Sequence, residues 1–460
     1  MRTTFTIGEK EYAFDLPGGA DILRMRGAEP IRDFGAALTD AFEHPIGCPS
    51  FEKIMAEKLA VKPEGEAVIV ISDNTRPVPY KGEQGILMPI IQRLLSSGIA
   101  SDKITVLCAN GTHTPLPDAI FQTMLDPAVY DLGIRVVNHD CRDESGLKFI
   151  GHTGKGTKIR INRLYADAHI KILTGLVESH FMAGVSGGRK AICPGLIGED
   201  SIYLFHSVGY LDNPDSRDLH LDGNPCHNEA MEVASSVGAD FILNVTLNQD
   251  FQVTGYFGGD MIQAHLAAFE SVREEVSISS SKKYDIVITH AGFVGRNHYQ
   301  AAKAGVAAIP LLEPDSVLIM AADCTDVEPV GKPTYRKVLP YLKDKNAGAF
   351  MELLKSKTWE FVPDQWQVQM WAKLFRVISQ DQFMYYAPQI EKQDYAILPG
   401  VDGNQFLVSS KHAADRGTKI QEFIENALRE TIRKMENEGR RDMTVAWLAD
   451  GPYGIIRREA

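Results

Sequence analysis

Apolar residues along this chain fall into short unbroken runs separated by polar loops and by stretches of helical period. Ala67-Val68-Ile69-Val70-Ile71, Lys103 to Ala109, Ile170 to Leu176, Phe241 to Leu247, Asp285 to His290 and Ser316 to Ala321 have the length and β-branched content of strands buried on both faces. Between the first two, Ile86, Ile90, Ile91, Leu94 and Leu95 form one helical stripe that closes at Gly98. Strand, polar loop, helix, strand is the rhythm of a parallel sheet. The pattern also predicts a hairpin over 3–16, helices over 31–60 (broken by Pro45 and Gly47), 260–275, 366–377 and 417–438, and strands at Tyr395–Leu398 and Thr444–Leu448. The polar, small-residue stretch Ser277 to Lys283 reads as a boundary. The expected class is α/β: two α/β domains, 1–276 and 277–460, with mostly parallel sheets facing across a cleft. Ligands of such sheets collect at the carboxyl ends of the strands. Asp73, Arg76, His113 and His180 all fall at inferred strand ends.

Composition narrows this picture. A chain of 460 residues exceeds one ordinary core, which supports two domains. A net charge of −12 argues against a general nucleic-acid or membrane-surface binder. The six cysteines are scattered without a Cys-x-x-Cys pair, as expected of buried free thiols in a reducing cytoplasm. The N-terminus lacks the apolar core of a signal peptide, and no apolar run approaches the length of a membrane span.

The chemistry concentrates in Glu178 to Gly195. A His follows a strand end, then comes Ser186-Gly187-Gly188-Arg189-Lys190, then Pro194-Gly195. Glycines let backbone N–H groups converge on an anion, and Arg189 and Lys190 add charge. The loop lacks P-loop spacing. Lys190 is a phosphate contact, a covalent attachment point or a surface charge. His113, in Gly111-Thr112-His113-Thr114-Pro115, is an acid/base candidate or a loop residue capping a helix. His180 reads the same way. His206 is a packed helix residue or a nitrogen ligand for Zn, Ni, Cu or Fe. No His-x-x-x-His or His-Glu-x-x-His accompanies it, so groups other than side chains would supply most of a metal's ligands. Arg76 is a carboxylate or phosphate clamp, or the ion-pair partner of Asp73. Gln300 and Lys303 share one helix face, to reach a substrate or to be solvated. Cys193 sits among apolar neighbours and reads as structural. The stretch Asp222 to His227 reads as a loop that could line a site.

Taken together, Ser72-Asp73-Asn74-Thr75-Arg76-Pro77, Gly111-Thr112-His113, the run His180 to Lys190, Pro194-Gly195, His206 and Tyr299-Gln300-x-x-Lys303 resemble the nickel-dependent lactate racemase family, in order and spacing, over nearly the whole chain. The resemblance implies an isomerase. Its cofactor would be a nickel pincer nucleotide, a pyridinium mononucleotide whose thioamide and thiocarboxylic groups hold the metal. Matched residue by residue, Lys190 would attach the cofactor and His206 would bind nickel. His113 and His180 would be the two acid/base residues. Asp73, Arg76, Ser186, Gly187, Gly188 and Tyr299 would bind the cofactor. Arg76, Gln300, Lys303, Arg296 and Trp366 would position the substrate. Residues 1–276 would carry the cofactor machinery and 277–460 would close over it. The implied reaction inverts C2 of a 2-hydroxy acid by hydride transfer to the cofactor and back, through a 2-oxo acid. Implied partners are that acid and the cofactor-building enzymes, with no nucleic acid and no membrane.

Two departures bear on the substrate. The family often has Arg after the first catalytic His, where Thr114 stands here. It often has a Pro and an Asp before Tyr-Gln, where this chain reads Ala291-Gly292-Phe293-Val294-Gly295-Arg296-Asn297-His298. Together they point away from lactate toward a malate-like dicarboxylate or an aldonate. Two other classes compete: an oxidoreductase or lyase with a diffusible nucleotide-phosphate cofactor, and a non-catalytic carrier or sensor. The two strand-end histidines favour the racemase, since a binder needs neither.

Overall fold

The run Ala67–Ile71 is fully buried and lies in the interior of a six-stranded sheet. The computed structural model describes residues 1–8, 10–408 and 416–457. The chain divides into two units, Gly27–Glu275 and Met1–Arg26 with Val276–Ala460.

In the first unit the strand order is Val253–Gly259, Phe241–Leu247, Ile170–Leu176, Ala67–Ile71, Ile104–Cys108, Arg135–Asn138. The strands are parallel except for the antiparallel edge Val253–Gly259. From Ala67–Ile71 the chain builds outward through Ile104–Cys108 to Arg135–Asn138. It then returns to the other side of Ala67–Ile71 with Ile170–Leu176. The order reverses between these two central strands, so the loops beyond their carboxyl ends diverge and open a crevice. Pro45 and Gly47 separate helices Phe34–Glu43 and Phe51–Val61, capped by Asp33 and Ser50 as N-caps should be. Phe42, Phe51 and Phe241 pack edge-to-face and stacked beneath the sheet. The arm Leu147–His152 with Lys158–Asn162 is a hairpin that the apolar pattern does not announce, because Phe149 and Ile150 are exposed.

The second unit holds a six-stranded parallel sheet in the order Val401–Asp402, Phe383–Tyr386, Val317–Ala321, Ile286–His290, Val445–Leu448, Asp21–Leu23. The first 26 residues therefore sit here and not in the N-terminal domain drawn from sequence. Asp21–Leu23 pairs with Val445–Leu448, and the hairpin Arg2–Ile7 with Lys10–Asp15 buries Phe5 and Phe14 against Trp447. That contact joins opposite ends of the chain, which no local pattern encodes. A second correction concerns Tyr395 to Leu398. This apolar stretch is no strand; it overlaps the 3-10 turn Lys392–Ala396, and the buried Tyr395 hydroxyl meets the amide and carbonyl of Ala387. The sheet strand is Phe383–Tyr386 instead. Short apolar runs do not separate strands from buried turns.

Among the described residues no helix is long and apolar enough to cross a membrane. All six cysteines are free thiols, five of them buried.

Candidate active site

The two central strands of the first unit deliver the site. Ala67–Ile71 runs into Ser72-Asp73-Asn74-Thr75-Arg76, and Ile170–Leu176 runs into Val177-Glu178-Ser179-His180. The neighbouring strand Ile104–Cys108 supplies the loop bearing His113. Asp73 is buried; its Oδ1 accepts from the Thr75 amide and hydroxyl at 3.1 and 2.5 Å. Its Oδ2 lies 2.5 Å from Nδ1 of the exposed His113, which donates to it. Burial alone would raise this carboxyl, but the His113 bond and charge, helped by Thr75, outweigh it and hold the carboxyl below the usual carboxylate range. With Nδ1 committed to Asp73, Nε2 is the nitrogen left for proton transfer.

Arg76 forms an ion pair with Glu178 from the adjacent strand end, so the ion-pair alternative is met by Glu178 and not by Asp73. Asp73 is taken by the imidazole, and Glu178 reaches the guanidinium because the strands are neighbours.

The glycine loop departs from the open cradle expected of it. Gly187 and Gly188 have φ of 71° and 49°. A Cβ on Gly187 would meet Val177 Cγ2 at 2.6 Å and Asn244 Oδ1 at 2.7 Å; one on Gly188 would meet the His265 ring at 2.5 Å. The Gly188 amide donates to Asn244 Oδ1 at 3.0 Å, and the Ser186 hydroxyl donates to the Leu176 carbonyl at 2.7 Å. The glycines thus let the loop press onto the sheet. Arg189 turns inward, fully buried, and donates to the carbonyls of Val185 at 2.9 Å and Ala183 at 2.8 Å. It staples the loop instead of lending charge to an anion. Desolvation lowers it to about 9. His265, pushed by burial down to about 3, lies 2.9 Å from the Ser186 carbonyl. Sequence reasoning missed Asn244, His265 and the pairing role of Glu178. All three act across long separations, and only a polar residue inside the apolar strand Phe241–Leu247 hinted at Asn244.

What the loop presents is Lys190. Its Nζ lies 3.0 Å from His180 Nε2. The amides of Met182 and Ala183 donate into His180 Nδ1 at 3.3 and 3.2 Å. Burial, then the cations Arg76 and Arg189, push the Lys190 ammonium down to about 7. Cys193 is buried, its thiol pushed up to about 12 by desolvation, as a structural cysteine should be. Asn224 caps helix Pro225–Val237, and its Nδ2 donates to the carbonyls of Met182 at 3.0 Å and His220 at 2.9 Å. The stretch that sequence placed as a lining loop is therefore a helix start bracing the His180 turn.

His206 ends helix Glu199–Phe205, half-buried, with Nδ1 donating to the Ile202 carbonyl at 2.8 Å. Burial, with the charges of Lys190 and His113, brings it down to about 4 against the raising effect of that bond. A neutral imidazole with its proton fixed on Nδ1 carries its lone pair on Nε2, the state that ligates a metal. Among the described residues no three His, Cys, Asp or Glu are grouped to hold a metal by themselves.

In the second unit, helix His298–Ala308 begins at Asn297, whose Oδ1 accepts from the Gln300 amide at 2.9 Å. Trp366 Nε1 donates to the Tyr299 hydroxyl at 2.6 Å, and Gln367 Nε2 donates to the Tyr299 carbonyl at 2.5 Å. Burial pushes the Tyr299 phenol far up. Arg296 is exposed; Gln300 and Lys303 are half-buried on the same helix.

An aspartate-held imidazole, a depressed lysine and a neutral imidazole at and near the strand ends of a doubly wound sheet are the features of an α/β enzyme. Residues 7–218 match the family model of the lactate racemase N-terminal domain, and 279–395 that of the C-terminal domain. The lactate racemase of Thermoanaerobacterium thermosaccharolyticum is 31% identical over 376 residues, covering 80% of this chain and 84% of its own. That of Lactiplantibacillus plantarum is 30% identical over 374 residues, covering 81% and 83%. The structure of the Thermoanaerobacterium lactate racemase apoprotein is similar with a TM-score of 0.82 at 26% identity, over 99% of this chain and 100% of that one. A crystal structure from Thermotoga maritima shares the fold alone, with a TM-score of 0.60 at 16% identity, over 90% of this chain and 100% of that one. This chain belongs to the lactate racemase family, a family of nickel-dependent isomerases.

Proposed function

We propose that this enzyme inverts C2 of a 2-hydroxy acid, using a nickel pincer nucleotide attached to Lys190, with His206 as the protein's nickel ligand. One observation carries the reading: an Asp73–His113 pair and a Lys190–His180 pair stand at the strand ends of the first unit, and the Nδ1-committed His206 feels the charges of both Lys190 and His113. The residues fit the group, because His206 is held neutral and in the ligating tautomer and Lys190 is depressed toward the free amine. When bound, the cofactor supplies the hydride acceptor that a weakly acidic C–H requires. The chain's residues do the rest. His113 and His180 take and return the hydroxyl proton, one for each face of the reacting carbon. Arg76, already paired with Glu178, exchanges that partner for an anionic group of cofactor or substrate. Tyr299 binds the cofactor, Gln300, Lys303, Arg296 and Trp366 position the substrate, and the departures at Arg296 and Thr114 favour an acid larger or more anionic than lactate, of malate or aldonate type. Ser186, Gly187 and Gly188 serve by holding Lys190 in place.

The test is chiral chromatography of single enantiomers of lactate, malate and gluconate incubated with protein made alongside the cofactor-building enzymes. Inversion of malate or epimerisation of gluconate ahead of lactate is expected. No inversion of any of them by protein carrying nickel would overturn the reading. Intact mass decides between a covalent cofactor and a diffusible one.

A further inference from the structure

The pair Lys190–His180 raises a question that racemisation does not answer, which is why an acid/base imidazole should bond to the attachment lysine itself. Nζ and Nε2 are 3.0 Å apart, a full hydrogen bond. Its direction follows from the far side of the ring. Two backbone N–H groups, of Met182 and Ala183, point at Nδ1. A proton on Nδ1 would face both donors, so the neutral imidazole carries its proton on Nε2. Nε2–H is then the donor and Nζ the acceptor, which requires a lysine without its third proton. The turn holding those two amides is fixed from behind by Asn224 on the Met182 carbonyl and Arg189 on the Ala183 carbonyl.

We propose that His180 has a task before any turnover: it holds Lys190 as the free amine, and so makes it the nucleophile that is acylated when the cofactor is loaded. This rests on the reading of Lys190 as the attachment point. The step is redox-neutral. The amine nitrogen attacks a thiocarboxylate carbon, a C–N bond forms and a C–O bond breaks. The oxygen leaves with one amine proton as hydroxide, and the sulfur stays as the thioamide. An ammonium has no lone pair for this attack, so the proton on Nε2 and not on Nζ is what matters. The cations facing Lys190 act in the same direction, against smaller opposing contributions from Cys226 and Cys193. Arg76 and Arg189 repel a third proton, and Glu178, which would attract one, is engaged with Arg76. The Cys193 thiol is uncharged and His206 neutral.

Competitive acetylation with trace acetic anhydride across about pH 5 to 10, read at Lys190 by peptide mass spectrometry, tests this on cofactor-free protein, with exposed Lys53 as the internal standard. Lys190 is expected to label with a midpoint near 7. In His180→Ala the midpoint rises by about one unit, and labelling at neutral pH falls about tenfold. His180→Gln, which keeps an N–H donor, returns the midpoint toward the wild-type value; either variant carries the test if the other fails to fold. A Lys190 midpoint equal to that of Lys53, or one unmoved by removing the imidazole, overturns the proposal. Intact mass of protein made with the cofactor-building enzymes separates the underlying reading. No adduct despite a low midpoint defeats the attachment reading, whereas an adduct with an ordinary midpoint defeats this one.

Discussion

Asp73 and His113, on neighbouring strand ends, are joined by a carboxylate–imidazole bond of 2.5 Å in which Asp73 is buried and His113 is exposed. The buried partner fixes the tautomer of the exposed one, so the pair delivers one defined nitrogen to the crevice. Asp73→Asn keeps the shape but loses the acceptor charge, and racemisation is expected to fall roughly 10²–10⁴-fold. Steady-state kinetics with protein of matched nickel content measures it; less than a threefold loss would remove Asp73 from the machinery.

The same pair makes stability depend on pH. The folded Asp73 carboxyl lies below the ordinary aspartate value, so its contribution is present above that value and lost as pH falls through the folded one. Urea midpoints taken between about pH 6 and pH 3 are expected to fall less in Asp73→Asn than in wild type. Parallel decline of the two would contradict this.

Removing the imidazole of His206 separates metal from tether. His206→Ala is expected to lose nickel on dialysis, by elemental analysis, while the mass adduct on Lys190 remains. Loss of both together would mean that His206 supports loading and not only ligation.

Gly188→Ala places a methyl 2.5 Å from the buried His265 ring at a φ of 49°. Strain and clash together should destabilise the unit by about 2–4 kcal/mol, read by chemical denaturation. An unchanged midpoint would show the loop free to move off the sheet.

Arg189→Lys keeps the charge but not the fork that serves the Ala183 and Val185 carbonyls. A cost of about 1–3 kcal/mol is expected, with faster amide hydrogen exchange at Met182 and Ala183. No change in exchange would remove Arg189 as the staple of the His180 turn.

Much of the molecule was legible in its residues. The runs around Val70, Leu107, Leu173, Leu243 and Ile288 are strands because an apolar, β-branched run buried on both faces has few other places to go. The motif order named the family, and the strand-end positions of Asp73, His113 and His180 follow from the βαβ rhythm. Tyr395 was misread because its apolar neighbours serve a turn, and the first 26 residues were misplaced because their partner, Trp447, lies at the far end of the chain.

The sequence by itself determined which chemical groups exist, roughly where the strands end and which family's motifs they compose, since these depend on local periodicity and residue type. Only the tertiary structure decided the pairings: Arg76 with Glu178, Asp73 with His113, Lys190 with His180, and Arg189 with its own loop. A charged group is satisfied by whatever the fold brings within hydrogen-bond reach, and here that is set by the reversal of strand order between Ala67–Ile71 and Ile170–Leu176, about a hundred residues apart in sequence.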